Sequence, residues 1–217
     1  MAETGSPAGT HADDPELLAM ASEGLIVGYF GYGSLVNRQT LRTKFLGVRR
    51  ASVTGWRRFW LPRPAPQMAL LSVRPEDDCP TEGVVVYDHA DHLPAVDERE
   101  AGYHRRVVMP DRVRIEDAPP FAVPLFIYEA RRETPDAADV GSRFLQSYLD
   151  AVLQGFLALY GREGVERFVA ETEGFETEIV RDRAQPLYPR SVTLSPAEAE
   201  FFDALVATRG VRYVDPA

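Results

Sequence analysis

Two short runs in this 217-residue chain hold the residue types that acid–base and anion-binding chemistry needs. The first is Tyr29-Phe30-Gly31-Tyr32-Gly33-Ser34-Leu35, an apolar stretch that ends abruptly in glycines and a serine. Gly24 to Phe30 reads as a buried strand, and Asn37-Arg38-Gln39-Thr40-Leu41-Arg42 follows as a polar helical pattern. Strand, glycine turn and helix in that order leave several backbone N–H groups pointing at one spot. Such a spot binds carboxylate or phosphate oxygens, or stabilises a developing oxyanion. The second run is Asp97-Glu98-Arg99-Glu100-Ala101-Gly102-Tyr103, with its acids in the last turns of a short helix and Gly102 as the terminator. Carboxylates there face the negative end of the helix macrodipole, which disfavours ionisation and suits a general acid or base near neutral pH. Plain solvation is the competing use of that cluster, with Arg99, Arg105 and Arg106 placed to neutralise it.

A further segment, Asp182-Arg183-Ala184-Gln185-Pro186-Leu187-Tyr188-Pro189-Arg190, is a loop whose prolines fix its backbone. It can present Tyr188 or Arg190 to a bound carboxylate. The favoured reading is a structural clasp, in which Asp182 and Arg183 tie the loop to a barrel formed by the strands.

The elements that must position these runs divide the chain into a strand-rich first half and a helical second half. Strands are expected over Val48–Leu61, Met68–Val73, Gly83–Tyr87, Tyr103–Met109 and Val123–Tyr128, with a short helix from about His92 to Ala101. Pro62-Arg63-Pro64-Ala65-Pro66 marks a turn. Phe144, Tyr148, Val152, Phe156 and Tyr160 form one helical ridge and Leu145, Leu149, Leu153 and Leu157 the next, with Gln146, Ser147, Asp150 and Gln154 on the far side. A second helix runs from about Arg162 to Glu173. A third opens at Ser195-Pro196 with Glu198 completing a capping box, buries Phe201, Phe202, Leu205 and Val206, and stops at Gly210. Strands followed by helices predict an α+β fold: a small closed or strongly curled mixed β-barrel with flanking helices. Residues 1–23 are expected as a disordered or poorly ordered leader, and 24–217 as a single domain whose helical C-terminal extension starts near residue 140.

Composition narrows the function classes. The chain is 45% hydrophobic and 26% charged, an ordinary globular balance that fits one domain. Its net charge of -9 argues against nucleic acid, which needs a basic surface. The pairs Arg49-Arg50, Arg57-Arg58, Arg105-Arg106 and Arg131-Arg132 read as solvated strand faces and loops. Cys79 is the single cysteine, so no disulfide can form within the chain and a reducing cytoplasm is the expected compartment. Its neighbours Glu76, Asp77 and Asp78 would raise the thiol pKa, which counts against a nucleophilic role. No membrane span or secretory signal pattern is present. A metal site is not expected, because His89 and His92 lack further partners, and His11 and His104 stand apart.

The Tyr29–Leu35 run followed by Asp97–Glu100 resembles the γ-glutamylcyclotransferase superfamily, including its AIG2-like members. The Ser-Leu form of the loop is similar to the glutathione-degrading branch. The resemblance covers roughly residues 25 to 130 and implies a small β-barrel with flanking helices. It implies an enzyme, formally a transferase or lyase, that cyclises a γ-glutamyl compound to 5-oxoproline and releases the amine. Glutathione, a γ-glutamyl amino acid or a γ-glutamyl amine would be the small-molecule substrate, with no cofactor and no metal. By position, Glu100 matches the catalytic glutamate, with Glu98 as the alternative register. Tyr32, Gly33, Ser34 and Leu35 match the loop that grips the γ-glutamyl group, and Tyr29, Phe30 and Gly31 the strand end before it. Tyr103, Tyr188 and Arg190 are further candidate substrate contacts. Whether the loop holds the oxyanion or the α-carboxylate stays open at this point. A non-catalytic ligand- or partner-binding module on the same fold is the alternative, and the apolar helical surface leaves room for a homodimer.

Overall fold

The structure, a computed structural model, describes residues 13–41, 45–63, 68–100 and 102–216. In chain order the elements are helix α1 (Leu17–Ser22), strands β1 (Ile26–Gly31), β2 (Gly47–Leu61) and β3 (Leu70–His89), and helix α2 (Leu93–Arg99). Strands β4 (His104–Val107), β5 (Val113–Ile115), β6 (Leu125–Glu129) and β7 (Arg143–Leu145) follow. Helix α3 (Gln146–Glu171), strand β8 (Glu178–Val180), helix α4 (Pro196–Ala207) and strand β9 (Tyr213–Val214) complete the chain.

The fold is α+β, with a six-stranded sheet in the order β4-β6-β1-β3-β2-β5. β1 lies at its heart, antiparallel to β3 and parallel to β6. The expected closed barrel is not formed: β4 and β5 lie at opposite edges, and among the described residues no pairing joins them. The edge strands are short, and every residue of β4 is exposed, which leaves nothing to complete a ring.

One long hairpin, β2 with β3, absorbs both the strands expected at Met68–Val73 and Gly83–Tyr87 and the acidic segment between them. The register jumps between Thr54 and Trp56, where Gly55 has φ 111 and Asp78 φ 57. A bulge of this kind lets a long strand bend instead of ending. Cys79 is therefore buried inside a strand, and burial, more than the nearby acids, pushes its thiol pKa up.

The period-two alternation of the strands feeds two cores. Val27, Tyr29, Val84 and Val86 face the helical layer, where they meet Tyr148, Val152 and Phe156 of α3 and Phe202 of α4. Ile26, Phe30, Val85 and Tyr87 face the other way and pack with Leu17 and Ala21 of α1. This corrects the expected leader. Residues 17–22 form a helix because Leu17, only 1% exposed, completes the second core; residues 1–12 lie outside the described residues.

The C-terminal half is helical as expected, with departures at its joints. Phe144 and Leu145 belong to β7 instead of the helical ridge, in a parallel sheet β7-β8-β9 that the sequence did not announce. Phe144 stacks on Trp60 at 3.6 Å between ring centroids. α3 is broken at Gly161 (φ 68, ψ -170), between the two helices read from the sequence. α4 carries the expected capping box, with Glu198 N–H donating to Ser195 Oγ at 3.3 Å and Ser195 N–H to Glu198 Oε2 at 2.6 Å.

The far side of α3 is not solvated. Gln146, Ser147 and Asp150 are buried, Ser147 and Asp150 against the Asp182–Arg190 loop and Gln146 against Asp203 of α4. Ser147 N–H donates to Asp182 Oδ1 at 2.8 Å, and Arg183 donates to both oxygens of Asp150 at 2.7 and 2.8 Å and to Asp203 at 2.7 Å. The clasp therefore exists, but it ties the loop to α3 and α4, not to the sheet. Arg58 also departs from expectation: it is buried between Phe156 and Phe168, its guanidinium carbon 5.0 and 4.6 Å from their centroids, and burial lowers its pKa to about 10.

Candidate active site

β1 delivers the first run. Gly31 ends the strand, and the chain turns through Tyr32 and Gly33 into a 3-10 turn, Ser34–Val36, followed by another, Arg38–Thr40. The α-helix expected at 37–42 is not there; Arg42 lies outside the described residues. Asn37 interrupts it: its side chain accepts from Gln39 N–H at 2.9 Å and donates to the carbonyl of Ala151 on α3 at 2.7 Å. That contact needs Gly155, where an added Cβ would lie 2.6 Å from the Asn37 nitrogen. Val36 and Asn37 N–H close onto the carbonyls of Gly33 and Ser34, each at 3.0 Å. Among the described residues, nothing accepts from the N–H groups of Gly33, Ser34 and Leu35. Gly33 also admits α3: a Cβ there would meet Tyr148 Oη at 3.1 Å.

α2 delivers the second run. It ends at Arg99 with Glu100 as C-cap (φ -92, ψ 22), whose N–H donates to the Val96 carbonyl at 2.9 Å. The Glu100 carbonyl accepts from Tyr103 N–H at 3.0 Å, and Gly102 supplies the positive φ of 106 that reverses the chain. One turn earlier, Asp97 accepts from Tyr128 Oη at 2.7 Å and from Arg105 Nη1 at 2.9 Å, so strands β6 and β4 hold the helix end.

These runs meet around one cavity of about 490 Å³, the size of a site that encloses a small molecule. Every residue singled out from the sequence for the loop, Tyr29 to Leu35, lines it, as do Glu100, Tyr103, Tyr188 and Arg190. Glu98 is exposed and outside the lining, so of the two registers the structure brings Glu100 to the cavity. Tyr29 and Phe30 are committed elsewhere by their side chains. The Tyr29 hydroxyl donates to Asp88, and Phe30 sits in the second core.

Tyrosines dominate the wall. Tyr32 donates to the Tyr128 carbonyl at 2.8 Å. Burial first, then the neighbouring Tyr103 phenol and the Glu100 carboxylate, hold the Tyr32 pKa well above the usual phenol range. Burial and Glu100 likewise raise Tyr103, and burial raises Tyr148. All three stay neutral near pH 7 and can act as hydrogen-bond donors. The charged side chains in the lining are Glu100, Arg63 and Arg190.

Sequence reasoning missed Tyr148, Tyr128 and Arg63. Tyr148 falls in the apolar ridge and Tyr128 in a strand, and the one signal for either is a hydroxyl where phenylalanine would fill the same core. Arg63 lies among the prolines of the turn, with no motif around it. Among the described residues no cluster of three or more His, Cys, Asp or Glu could hold a metal ion, and no helix is long and apolar enough to cross a membrane.

Residues 29–143, over half of the chain, match the family described as gamma-glutamyl cyclotransferase, AIG2-like. The chain belongs to this family. No curated protein matches it at a significant level. Among solved structures, it is similar to an uncharacterized protein from Homo sapiens at 15% identity and TM-score 0.50, over 82% of this chain and 98% of that one. A gamma-glutamyl cyclotransferase matches over 82% of this chain and 99% of its own, at 13% identity and TM-score 0.48. A yeast cyclotransferase described as specific to glutathione matches over 85% and 96%, at 14% identity and TM-score 0.41.

Proposed function

We propose that this protein is a γ-glutamylcyclotransferase-type enzyme that converts a γ-glutamyl compound to 5-oxoproline and a free amine. The observation that carries the reading is the meeting of Glu100 with the N–H groups of Gly33, Ser34 and Leu35, which have no acceptor among the described residues, around one cavity in a chain of this family.

The substrate's α-nitrogen attacks its own γ-carbonyl carbon. A C–N bond closes the five-membered ring, and the bond to the departing nitrogen breaks when the tetrahedral intermediate collapses. Folding the glutamyl chain back makes the attack intramolecular, and favourable cases reach effective molarities of about 10⁵ M or more. Glu100 takes a proton from the α-ammonium to free the attacking amine, the ring nitrogen gives up a second as the ring closes, and both leave on the departing nitrogen, which goes as its ammonium. The carbonyl oxygen gains charge in the tetrahedral intermediate, which the turn's N–H groups stabilise. The neutral phenol of Tyr103 beside Glu100 donates to the oxygen that the turn leaves, while the Tyr32 hydroxyl stays on the Tyr128 carbonyl and holds the turn in place.

The test is incubation of purified protein with a panel of γ-glutamyl amino acids, amines and peptides, reading 5-oxoproline and released amine together. Glu100→Gln should lower turnover by about 10²- to 10⁴-fold. Tight binding with no product from any member of the panel would assign the chain to the non-catalytic reading instead.

A further inference from the structure

Three residues of the cavity wall, Tyr148, Tyr188 and Arg190, come from beyond the segment that matches the family. The loop carrying the last two is rigid. Asp182 accepts from Leu187 N–H at 2.9 Å, Tyr188 N–H donates to Ser147 Oγ at 3.3 Å, and Pro186 and Pro189 fix the backbone between.

Two groups on this loop have polar capacity to spare. Tyr188 is 6% exposed, and its wholly buried hydroxyl has no hydrogen-bond partner among the described residues. Buried hydroxyls are normally satisfied, so one left over beside a cavity marks a place for an acceptor. Arg190 rests across the same ring, its guanidinium carbon 5.6 Å from the centroid, and forms no ion pair with a described acid. Several arginines of this acidic chain do otherwise: Arg49, Arg50, Arg57, Arg74, Arg105, Arg106 and Arg183 each hold a carboxylate.

On the cyclising reading above, on which this inference rests, the glutamyl half is common to every substrate, and the family-matched run and Glu100 suffice for it. Substrates differ in the departing amine. We propose that Arg190 and Tyr188 form a leaving-group subsite that selects γ-glutamyl compounds whose departing amine carries a carboxylate. The guanidinium pairs with the carboxylate and the Tyr188 hydroxyl donates to it, a charge-assisted arrangement that a plain amine cannot use. Arg190 is then a specificity-determining residue.

The experiment compares γ-glutamylalanine with γ-glutamylethylamine, which differ only in the carboxylate of the departing group. The wild-type protein is expected to prefer the first by about tenfold or more in kcat/KM. Arg190→Gln should bring that ratio close to one, chiefly through the KM for γ-glutamylalanine, and Arg190→Lys should keep part of the preference. Circular dichroism of each variant confirms the fold. Equal efficiency of the wild type on both compounds overturns the proposal while leaving cyclisation intact. So does an equal loss on both in Arg190→Gln, which would put Arg190 on the glutamyl carboxylate. Absence of 5-oxoproline from both compounds overturns the cyclising reading and this inference with it.

Discussion

Tyr128 holds Asp97 by a hydrogen bond of 2.7 Å from its hydroxyl, while its own backbone carbonyl accepts from Tyr32 at 2.8 Å. One residue of β6 therefore joins the two runs that define the site. Its main chain fixes the glycine turn, and its side chain fixes the helix that ends in Glu100. Tyr128→Phe keeps the first link and removes the second. We expect a loss of about 1 kcal/mol in stability, since Asp97 is partly exposed, and a proportionately larger loss in 5-oxoproline formation. Thermal unfolding and steady-state kinetics on the same preparation check both; full activity would show that the Asp97 tether does not position Glu100.

The two acids near the end of α2 should behave differently. Glu98 is exposed and off the cavity, so Glu98→Gln is expected to stay within about twofold of wild type, surface changes of this kind being near neutral. Glu100→Gln should lose nearly all turnover. Equal losses in both variants would mean that the charge of the cluster matters rather than one carboxylate.

A substitution that touches no cavity residue should also reach the site. Gly155→Ala would drive a methyl group to 2.6 Å from the Asn37 nitrogen and 2.7 Å from its Cα. Backbone has to move, at a cost of about 1–3 kcal/mol, and the segment that moves carries Ser34 and Leu35. We expect a lower midpoint in urea and an activity loss beyond what the unfolded fraction explains.

Alkaline pH should weaken the fold. Burial raises Tyr87 and Tyr160 from the usual 10.0 to about 12. A phenol whose folded pKa is raised contributes stability that is complete below pH 10 and lost as pH climbs through 12. Arg58, lowered to about 10, works the other way over part of that range, but the raised phenols outnumber it. The melting temperature should therefore fall between pH 9 and about pH 11.5, less steeply in Tyr160→Phe; a flat profile would contradict the assignment.

Local rules that depend on near neighbours were legible in the sequence. The Ser195–Glu198 box, the break between Tyr160 and Arg162, and the strand running into Gly31 each follow from a few adjacent residues. What was not legible depended on distant partners. Asn37 pulls the 34–40 segment out of an α-helix by bonding to α3, and Ser147 and Asp150 face inward only because Asp182 and Arg183 arrive to meet them. Leu17 looks like part of an unordered leader until the second face of the sheet is in place. The lining of the cavity was legible where it lay in the two runs and illegible where a single tyrosine did double duty as core and wall.

The stacking of Phe144 on Trp60 has a practical corollary for anyone dissecting the molecule. Phe144 is the first residue past the family-matched segment, and Trp60 lies near the end of β2, in the long hairpin inside it. A fragment cut at that border would bare the indole and strip three side chains from the chamber. The recognisable half is thus no independent unit, and shortening this protein to its familiar portion should yield an insoluble remnant rather than a smaller folded domain.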